Sequence, residues 1–335
     1  MHVLLTNGLG HINSNLIKAL NARGITRITV VDDLTNPSKA ANIAGCKIAD
    51  YLDIDKFREA IIEKGPLEPQ PDIIFHNWMC KEANADGKTV MDWNYTFSKE
   101  VLDYCCQHGV RLNYGFSVVE DGDEVKGFSM DMEVEVKEEE YGQAQAEAEM
   151  QFPERNAYNP LTVHDLSKLL FNQYAKRCIK DHAIWQIVGL RYFEVYGLGE
   201  EYNECRASMV YALREKIHRR SPILVGENRQ HDCIHVGDVI RVNMWFLDRP
   251  DVVGLFEVGT GIKKTTLEVR CAVERTLGIQ GRTIAVGNCV TTKSGRAADL
   301  ARLREVGYDG LMISLADGVK KYVEWMRQSG VRSWS

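Results

Sequence analysis

The chain has 335 residues, of which 44% are hydrophobic, and a formal net charge of -6. That length and composition are enough for a sizeable core in two closely joined lobes. The acidic balance argues against a dedicated nucleic-acid or membrane surface, and no apolar run approaches the length of a membrane span. We therefore expect a soluble protein with no membrane insertion.

Nine cysteines occur without a CxxC pair. This pattern favours reduced, mostly buried thiols in a reducing compartment, and no metal site is expected. The neighbours Cys105 and Cys106 are expected on a helix face rather than as a redox pair. The first residues have the pattern of a buried strand, which leaves no room for a signal or transit peptide. The cytoplasm is the default location, and an organelle matrix stays open if a presequence was removed.

Apolar strand patterns alternate with helical patterns along the first part of the chain. The strand candidates are HVLLT, RITVVDD, PDIIFHN, VRLNYGF and WQIVGLRYF. Helices are predicted over Ser14–Arg23, over Asn94–His108 and from about Asp165 to Ile179. Strand–helix alternation with short connections predicts an α/β fold with a Rossmann-like, doubly wound parallel sheet.

Later segments are less regular and indicate a smaller C-terminal lobe of the substrate-binding type. Helices are predicted over Met209–His218, Thr266–Leu277 and about Leu315–Gln328. We assign residues 1–197 and 232–262 to a dinucleotide-binding lobe. Residues 198–231 and 263–335 are assigned to the second lobe.

An acidic insertion occupies residues 118–160 of the first lobe. Residues 120–154 are crowded with Glu and Asp, and the simplest interpretation is a solvated loop. However, apolar residues alternate with polar ones between Phe128 and Val136, which is typical of a strand with one apolar face. The alternative is therefore a surface that contacts a protein partner or another subunit.

The stretch TNGLGHINSN, from Thr6 to Asn15, follows the first predicted strand and precedes a helix. A glycine-containing turn at this place brings backbone N–H groups and a helix N-terminus to the pyrophosphate of a dinucleotide. Two places where glycine is expected carry Asn7 and Asn13. Asn7 is the less damaging, because asparagine tolerates a left-handed backbone. The side chain of Asn13 is expected where the helix approaches the strand and the phosphate.

Acidic and basic residues follow the second strand. An acid at the position of Asp32 or Asp33 normally bonds the adenosine ribose and favours NAD. Lys39 would instead neutralise a 2′-phosphate and favour NADP. The alternative for Lys39 is an exposed loop lysine.

The chain resembles extended short-chain dehydrogenase/reductase proteins of the NAD-dependent epimerase/dehydratase family, and among them the NADP-dependent ADP-L-glycero-D-manno-heptose 6-epimerases. The resemblance rests on the opening stretch together with IADYLD, MDWNYTFSKEVLDYC, QIVGLRYFEVYG, HVGDVIRVNMWFLD and GLFEVGTG. It implies a Rossmann lobe, a sugar-nucleotide lobe and a nicotinamide cofactor. The implied cofactor residues are Gly8, Gly10, His11, Ile12, Asp32, Asp33, Lys39, Asn94, Lys168 and Val195.

The catalytic residues implied by the resemblance are incomplete. Ser117 falls on the hydroxyl that bonds the reacting sugar. The Tyr-x-x-x-Lys pair appears as His164 and Lys168, so the tyrosine that transfers a proton is missing. A histidine has a shorter ring, and a small misplacement costs much of the rate.

The substrate side departs from the family pattern as well. Glu194 stands where Asn follows RYF, and His231 stands where an arginine would grip the substrate pyrophosphate. A second catalytic lysine falls near Asn203, and Cys205 replaces a small polar residue. Trp78 and Met79 are bulky where small residues line the cofactor groove.

Three functional interpretations follow. We favour an epimerase-fold protein that has lost catalysis and serves as a structural or interacting subunit, a pseudoenzyme with weak or absent NADP binding. The second is an active NADP-dependent sugar-nucleotide epimerase in which His164 replaces the tyrosine. The third keeps the cofactor without turnover.

Overall fold

A computed structural model describes residues 1–63, 65–80, 85–117, 162–181, 186–202, 207–225, 228–285, 292–293 and 295–329. Its strands are β1 (Val3–Thr6), β2 (Ile28–Asp32), β3 (Asp50–Asp53), β4 (Ile73–His76), β5 (Arg111–Ser117), β6 (Ile187–Tyr192), β7 (Glu194–Tyr196), β8 (Ile223–Val225), β9 (Asn228–His231), β10 (Cys233–His235), β11 (Gly254–Val258), β12 (Lys264–Thr265), β13 (Thr283–Ala285) and β14 (Thr292–Lys293).

The helices of the described residues are α1 (His11–Ala22), α2 (Ile54–Ile62), α3 (Gly87–Met91), α4 (Phe97–His108), α5 (Val163–Asp181), α6 (Met209–His218), α7 (Val236–Leu247), α8 (Thr266–Leu277), α9 (Ala301–Glu305) and α10 (Leu315–Ser329). A 3₁₀ helix covers Pro37–Ile43, and a π-helical turn covers Asp92–Thr96. Within the described ranges, no helix combines the length and the apolar composition needed to cross a bilayer.

Seven parallel strands form one sheet in the order β11-β6-β5-β4-β1-β2-β3. The strand order reverses between β1 and β4, whose carboxyl ends therefore open a crevice. Helices cover both faces, which explains why β1, β2, β4 and β6 are completely buried and mostly apolar. The predicted α/β, Rossmann-like parallel sheet is confirmed.

The two faces of the sheet have separate cores. Leu16, Ile17 and Leu20 of α1 pack with residues of α7 on one face. The other face is covered by α2, α4 and α5, around Phe57 and Phe97. Each helix contributes one apolar stripe, as expected for a helix that lies on a sheet.

A further core lies among α6, α8 and α10, outside the seven-stranded sheet. Short strand pairs surround it: β7 with β10, β8 with β13, and β9 with both β12 and β14. Helices α6 and α8 have the predicted bounds. The division of the chain into two lobes at the residues named above stays a prediction.

The predicted helix over Asn94–His108 is divided into two parts. Its first turn is π-helical and carries Asn94, while the regular helix begins at Phe97. A π turn widens the backbone by one residue and often accompanies a functional site. Here it points a buried asparagine towards the start of α5.

His76, the last residue of β4, is buried between two hydroxyl groups. Its Nδ1 lies 2.9 Å from Thr6 Oγ1, and its Nε2 lies 3.0 Å from Ser98 Oγ. Burial lowers the pKa of His76 from 6.5 to about 3. The folded protein therefore holds this ring neutral beside the crevice.

We expect His76 to make the fold sensitive to acid. Because its pKa is lower in the folded than in the unfolded state, its contribution to stability is lost as the pH falls below 6.5. Between pH 7 and pH 5 this loss should be about 2 kcal/mol. Urea unfolding at several pH values should show that His76→Gln weakens the dependence of the unfolding free energy on pH. His218→Gln, on an exposed helix end, should not change it. An unchanged dependence in His76→Gln would contradict the assignment.

Candidate active site

The crevice at the carboxyl ends of β1 and β4 collects the side chains that the sequence singled out. Asn7 follows β1, and Asn77 follows β4. The start of α5 packs on the π turn and brings His164 and Lys168 to the same edge of the sheet. The site is therefore built from segments far apart in the sequence.

The turn after β1 has the backbone of a glycine turn with an asparagine in it. Asn7 adopts a left-handed conformation with φ of 56°. Gly8 donates its N–H to the Val31 carbonyl at 3.2 Å, and a Cβ on Gly8 would lie 2.7 Å from Val30 Cγ1. Asn7 therefore supplies the required conformation, as expected.

The side chain of Asn7 lies over the N-terminus of α1. A Cβ on Gly10, the N-cap of α1, would lie only 2.6 Å from Asn7 Nδ2. The backbone N–H of His11 donates to the hydroxyl of Tyr202 at 3.3 Å. The helix terminus that should receive a phosphate is thus partly covered by the protein itself.

Asn13 joins the turn to the strand beside it. Its Nδ2 donates to the Thr6 carbonyl at 2.7 Å, and its Oδ1 accepts from Asn77 Nδ2 at 2.6 Å. Asn7 Nδ2 donates in turn to the Asn77 carbonyl at 3.1 Å. We call Asn7, Asn13 and Asn77 the asparagine network. The sequence pattern singles out the first two, and only the fold shows that Asn77 lies between them.

The asparagine network does not suit a phosphate. The Oδ1 atoms of Asn7 and Asn77 are buried without a hydrogen-bond partner among the described residues. An anion needs donors, and a buried acceptor without a donor disfavours a negative charge beside it. The pyrophosphate end of the crevice is therefore a poor fit to the dinucleotide implied by the sequence.

Asp32 and Lys39 form a buried ion pair. Asp32 accepts from the N–H of Leu9 and of Asp33, each at 2.9 Å, and from the ammonium of Lys39. Lys39 is 1% exposed and lies 3.5 Å from Asp33 Oδ1. The alternative of an exposed loop lysine is thus wrong, because the 3₁₀ helix over Pro37–Ile43 turns Lys39 inward.

Trp78 is accommodated by aromatic packing. Its ring lies 5.5 Å from Trp93 and 6.1 Å from Phe97 between centroids. The guanidinium of Arg58 lies 5.2 Å from the Trp93 ring and bonds Asp92 and Glu100. The Trp78 ring, which was expected in the cofactor groove, therefore packs in an aromatic cluster with the π turn and α4.

The carboxamide of Asn94 connects three segments at the start of α5. The N–H of Cys80 donates to Asn94 Oδ1 at 2.7 Å. Asn94 Nδ2 then faces His164 Nδ1 and Ser167 Oγ, each at 3.2 Å. Ser167 Oγ donates to the His164 carbonyl at 2.7 Å, so it has a lone pair for Asn94. Asn94 therefore contacts the residue that replaces the tyrosine.

This arrangement selects one tautomer of His164. A backbone N–H only donates, so the oxygen of Asn94 must face Cys80 and the nitrogen must face His164. Nδ1 of His164 is consequently an acceptor, and the proton of the neutral ring lies on Nε2. A proton on Nδ1 would meet the N–H of Asn94.

The remaining catalytic and cofactor residues are placed as follows. Lys168 lies one helical turn after His164 on α5, and Ser117 ends β5. Val195 lies in β7 opposite Ile234, and Ile12 packs in the core. Asn203 and Cys205 lie outside the described residues.

The two changed residues of the substrate side bind each other. His231 Nδ1 lies 2.5 Å from Glu194 Oε1, and His231 Nε2 lies 3.0 Å from Thr266 Oγ1. Glu194 Oε2 also accepts from the Cys233 thiol at 3.8 Å. The position at which the resemblance implies a pyrophosphate-binding arginine is therefore occupied by His231, whose imidazole already contacts the Glu194 carboxylate. Thr266 had no signal in the sequence, because its role depends on the pairing of β9 with β12.

The segment Gly197-Leu198-Gly199-Glu200-Glu201, which follows β7, contains two buried carboxylates. Glu200 accepts from the N–H of Gly197 at 2.9 Å and from the N–H of Ser208 at 2.6 Å. Burial raises the pKa of Glu200 from 4.5 to about 7. Glu201 accepts from the hydroxyl of Tyr322 on α10 at 3.0 Å. The turn is thus fixed by carboxylates that the sequence did not identify.

Comparisons with known proteins identify the family of the chain. The model of the NAD dependent epimerase/dehydratase family matches residues 3–259. The chain belongs to that family. It is 33% identical to the ADP-L-glycero-D-manno-heptose-6-epimerase of Brachyspira hyodysenteriae over an alignment of 336 residues that covers 98% of each protein. The corresponding enzyme of Thiobacillus denitrificans is 32% identical over 356 residues, with 98% of this chain and 99% of the relative covered.

Solved structures of the family share the fold. The ADP-L-glycero-D-manno-heptose-6-epimerase of Helicobacter pylori superposes with a TM-score of 0.72 at 20% identity, covering 97% of this chain and 96% of its own. The UDP-glucuronic acid 4-epimerase of Bacillus cereus, solved with NAD, gives 0.72 at 18% identity, covering 98% and 99%. The family resemblance inferred from the sequence is confirmed.

We expect Asn94 to fix the tautomer of His164. Nitrogen NMR of the protein at neutral pH should show the proton on Nε2. Asn94→Asp should move it to Nδ1, because a carboxylate accepts where the amide donated. Ser167→Ala, which removes the other contact of the Asn94 nitrogen and the hydrogen bond to the His164 carbonyl, should leave the tautomer unchanged. A proton on Nδ1 in the unchanged protein would contradict the orientation of Asn94.

Proposed function

We propose that this chain is an epimerase-fold protein in which catalysis is impaired and which serves as a structural or interacting subunit. The observation that carries the proposal is the 3.2 Å contact between Asn94 Nδ2 and His164 Nδ1. The residue in the place of the proton-transferring tyrosine is thereby held as an acceptor on its inner nitrogen.

A ring in this state is poorly suited to exchange a proton with substrate. To accept a proton at Nε2, the neutral ring would first need its own proton on Nδ1, where Asn94 donates. To donate a proton from Nε2, the neutral ring would have to become an imidazolate. The alternative is a doubly protonated ring, whose Nδ1 proton would face the amide hydrogen of Asn94. Lys168 adds a positive charge one turn away, which disfavours the doubly protonated ring.

The substrate side supports the same proposal. Glu194 and His231 satisfy each other, and the His231 side chain is only 14% exposed. A diphosphate would have to displace a carboxylate from that imidazole and then lie beside the displaced charge. Like charges at such distances repel, so the pair disfavours a nucleotide diphosphate.

At most weak cofactor binding is proposed, with NADP preferred over NAD. A dinucleotide, when bound, would supply hydride transfer at its nicotinamide. Lys39 is the positive charge available near a 2′-phosphate, but it is already paired with Asp32 and Asp33. The asparagine network covers the pyrophosphate turn. Both features lower the affinity that the family fold would otherwise give.

A second candidate function is an active sugar-nucleotide epimerase with His164 in the catalytic role. Its support is the 33% identity to the Brachyspira hyodysenteriae epimerase along nearly the whole of both chains. The Asn94 contact with His164 is the feature that favours the first candidate over this one. Asp32, Lys39, Asn94 and Lys168 would serve the third interpretation, in which the cofactor is held without turnover.

The proposed partner surface is the acidic segment at 120–154, which lies outside the described residues. Its support is the alternation of apolar and polar residues between Phe128 and Val136. The partner would be a protein or another subunit, and neither a nucleic acid nor a membrane is proposed.

We expect no measurable epimerisation of ADP-heptose by the purified protein. The physical reason is that Nδ1 of His164 accepts a hydrogen bond from Asn94, so Nε2 already carries a proton and cannot accept one from the substrate. The assay should follow the two heptose epimers by chromatography, with added NADP and NAD in separate reactions. Clear turnover that disappears in His164→Ala would overturn the first candidate and establish the second.

The substrate side can be tested by binding in the same protein. The double variant Glu194→Asn with His231→Arg should bind ADP at least about tenfold more tightly than the unchanged chain, since one carboxylate is removed and a guanidinium is added. His231→Arg alone should gain less, because Glu194 would pair with the new arginine. Equal affinity in all three proteins would show that this pair does not control the site.

For the cofactor, calorimetry should give weak binding with NADP tighter than NAD. Lys39→Ala should abolish the preference, and Lys39→Arg, which keeps the charge, should retain it. Asn13→Gly should strengthen binding of both dinucleotides alike, because it acts at the shared pyrophosphate. Tight NAD binding that does not respond to Lys39→Ala would contradict the proposal.

A further inference from the structure

Helices α4 and α5 face each other along two matched rows of side chains. Lys99, Asp103 and Cys106 lie on one face of α4, and Tyr174 and Cys178 lie one turn apart on α5. The hydroxyl of Tyr174 donates to Asp103, and the ammonium of Lys99 lies 4.7 Å from the Tyr174 ring. These contacts fix the register of the two helices.

In that register the next pair of residues is Cys106 and Cys178. Cys106 packs against the core cluster that contains Cys178, a side-chain hydrogen bond joins the two thiols, and neither is in a disulfide bond in this structure. Side chains that meet through their sulfur atoms point towards each other, which is the orientation a disulfide requires. Cys106 is partly exposed, while Cys178 is 8% exposed.

We propose that Cys106 and Cys178 form a reversible disulfide that clamps α5 to α4. The oxidant is a small-molecule disulfide of the glutathione type. Cys106 is the entry point because it is the more accessible thiol, and Cys178 completes the bond because it lies in contact with Cys106. Neither residue belongs to the site described above, so the inference holds for an active or an inactive protein.

The chemistry is a thiol–disulfide exchange in two steps. The Cys106 thiolate attacks one sulfur of the oxidant, whose disulfide bond breaks and releases the first small thiol. The Cys178 thiolate then attacks the mixed disulfide at the Cys106 sulfur and releases the second. Two protein thiols are oxidised to one disulfide, one oxidant disulfide is reduced to two thiols, and the two protons pass to the released thiolates.

The clamp would act on the catalytic edge of the sheet through α5. His164 and Lys168 lie at the start of this helix, and Cys178 lies near its end. Asn94, which contacts His164, precedes α4 in the chain. A bond between α4 and α5 therefore restrains the relative position of the two segments that present Asn94 and His164. It also closes the long loop that contains the acidic segment, so it restricts the unfolded chain.

The surroundings predict a slow, base-promoted reaction. The contact with Cys178 and burial raise the pKa of the Cys106 thiol above its ordinary value. Because the thiolate is the nucleophile, the rate should rise with pH through the alkaline range. The charged and titratable groups near the pair include Asp103 and Cys105 on α4, Tyr174 on α5 and Tyr114 on β5. Two cations, Lys99 and Arg177, lie over the Tyr174 ring.

The test is equilibration of the full chain in mixtures of oxidised and reduced glutathione, followed by peptide mapping without reduction. We expect a cross-linked Cys106–Cys178 peptide, a mass lower by two hydrogen atoms, and a Tm higher by a few degrees that returns when the protein is reduced. Cys271→Ser on α8, a partly exposed cysteine elsewhere, should behave like the unchanged protein.

Single variants separate a clamp from ordinary surface oxidation. Cys106→Ser should give neither the cross-link nor the rise in Tm. Cys178→Ser should instead trap glutathione on Cys106, because nothing resolves the mixed disulfide. The proposal is overturned if the unchanged protein carries glutathione on Cys106 with Cys178 reduced, or if both thiols stay reduced at every ratio. It is also overturned if the rise in Tm persists in Cys106→Ser.

Discussion

The carboxamide of Asn94 is the interaction on which the arrangement of the site depends. It accepts from the loop after β4 at Cys80 and donates to the first turn of α5 at His164 and Ser167. Asn94 is 6% exposed, so its groups have little access to water and must find partners in the protein. Because the amide has a donor end and an acceptor end, it fixes the position of α5 relative to the loop after β4. It also determines which nitrogen of the His164 ring carries the proton.

The π turn explains why Asn94 reaches these partners. A regular helix from Asn94 onward would place its side chain at a different angle from Phe97. The extra residue in the turn lets Asn94 face α5 while Phe97 packs beneath with Trp78 and Trp93. One irregular turn thus serves both the core of the sheet and the polar site above it.

The changed residues of the site occur in sets that satisfy one another. Asn13 would be costly in a buried turn without Asn77, and Glu194 would be a poorly placed carboxylate without His231. Lys39 and Asp32, which match the family pattern, are likewise paired with each other. Each set makes its polar contacts within the protein. The fold is kept, since its cores lie beneath the crevice and do not depend on those ligands.

Much of the fold could be predicted from the sequence because local periodicity has local causes. Helices α6 and α8 have the predicted bounds, since apolar stripes and capping residues such as Thr265 mark their ends. Apolar runs between turns marked five of the seven strands of the parallel sheet, while β11 and the half-exposed edge strand β3 lie in stretches that carried only the resemblance. The left-handed turn at Asn7 was also predictable, because few other residues tolerate it.

The sequence by itself thus determined the fold class, the family and the residues that depart from the family pattern. Tertiary structure decided what those residues contact. Lys39 was expected at the surface as readily as at a phosphate, yet it lies buried on Asp32. Cys106 has no sequence signal that points to Cys178, and Glu194 has none that points to His231. Such pairs are set by the register of packed helices and paired strands, which depends on contacts between residues far apart in the chain.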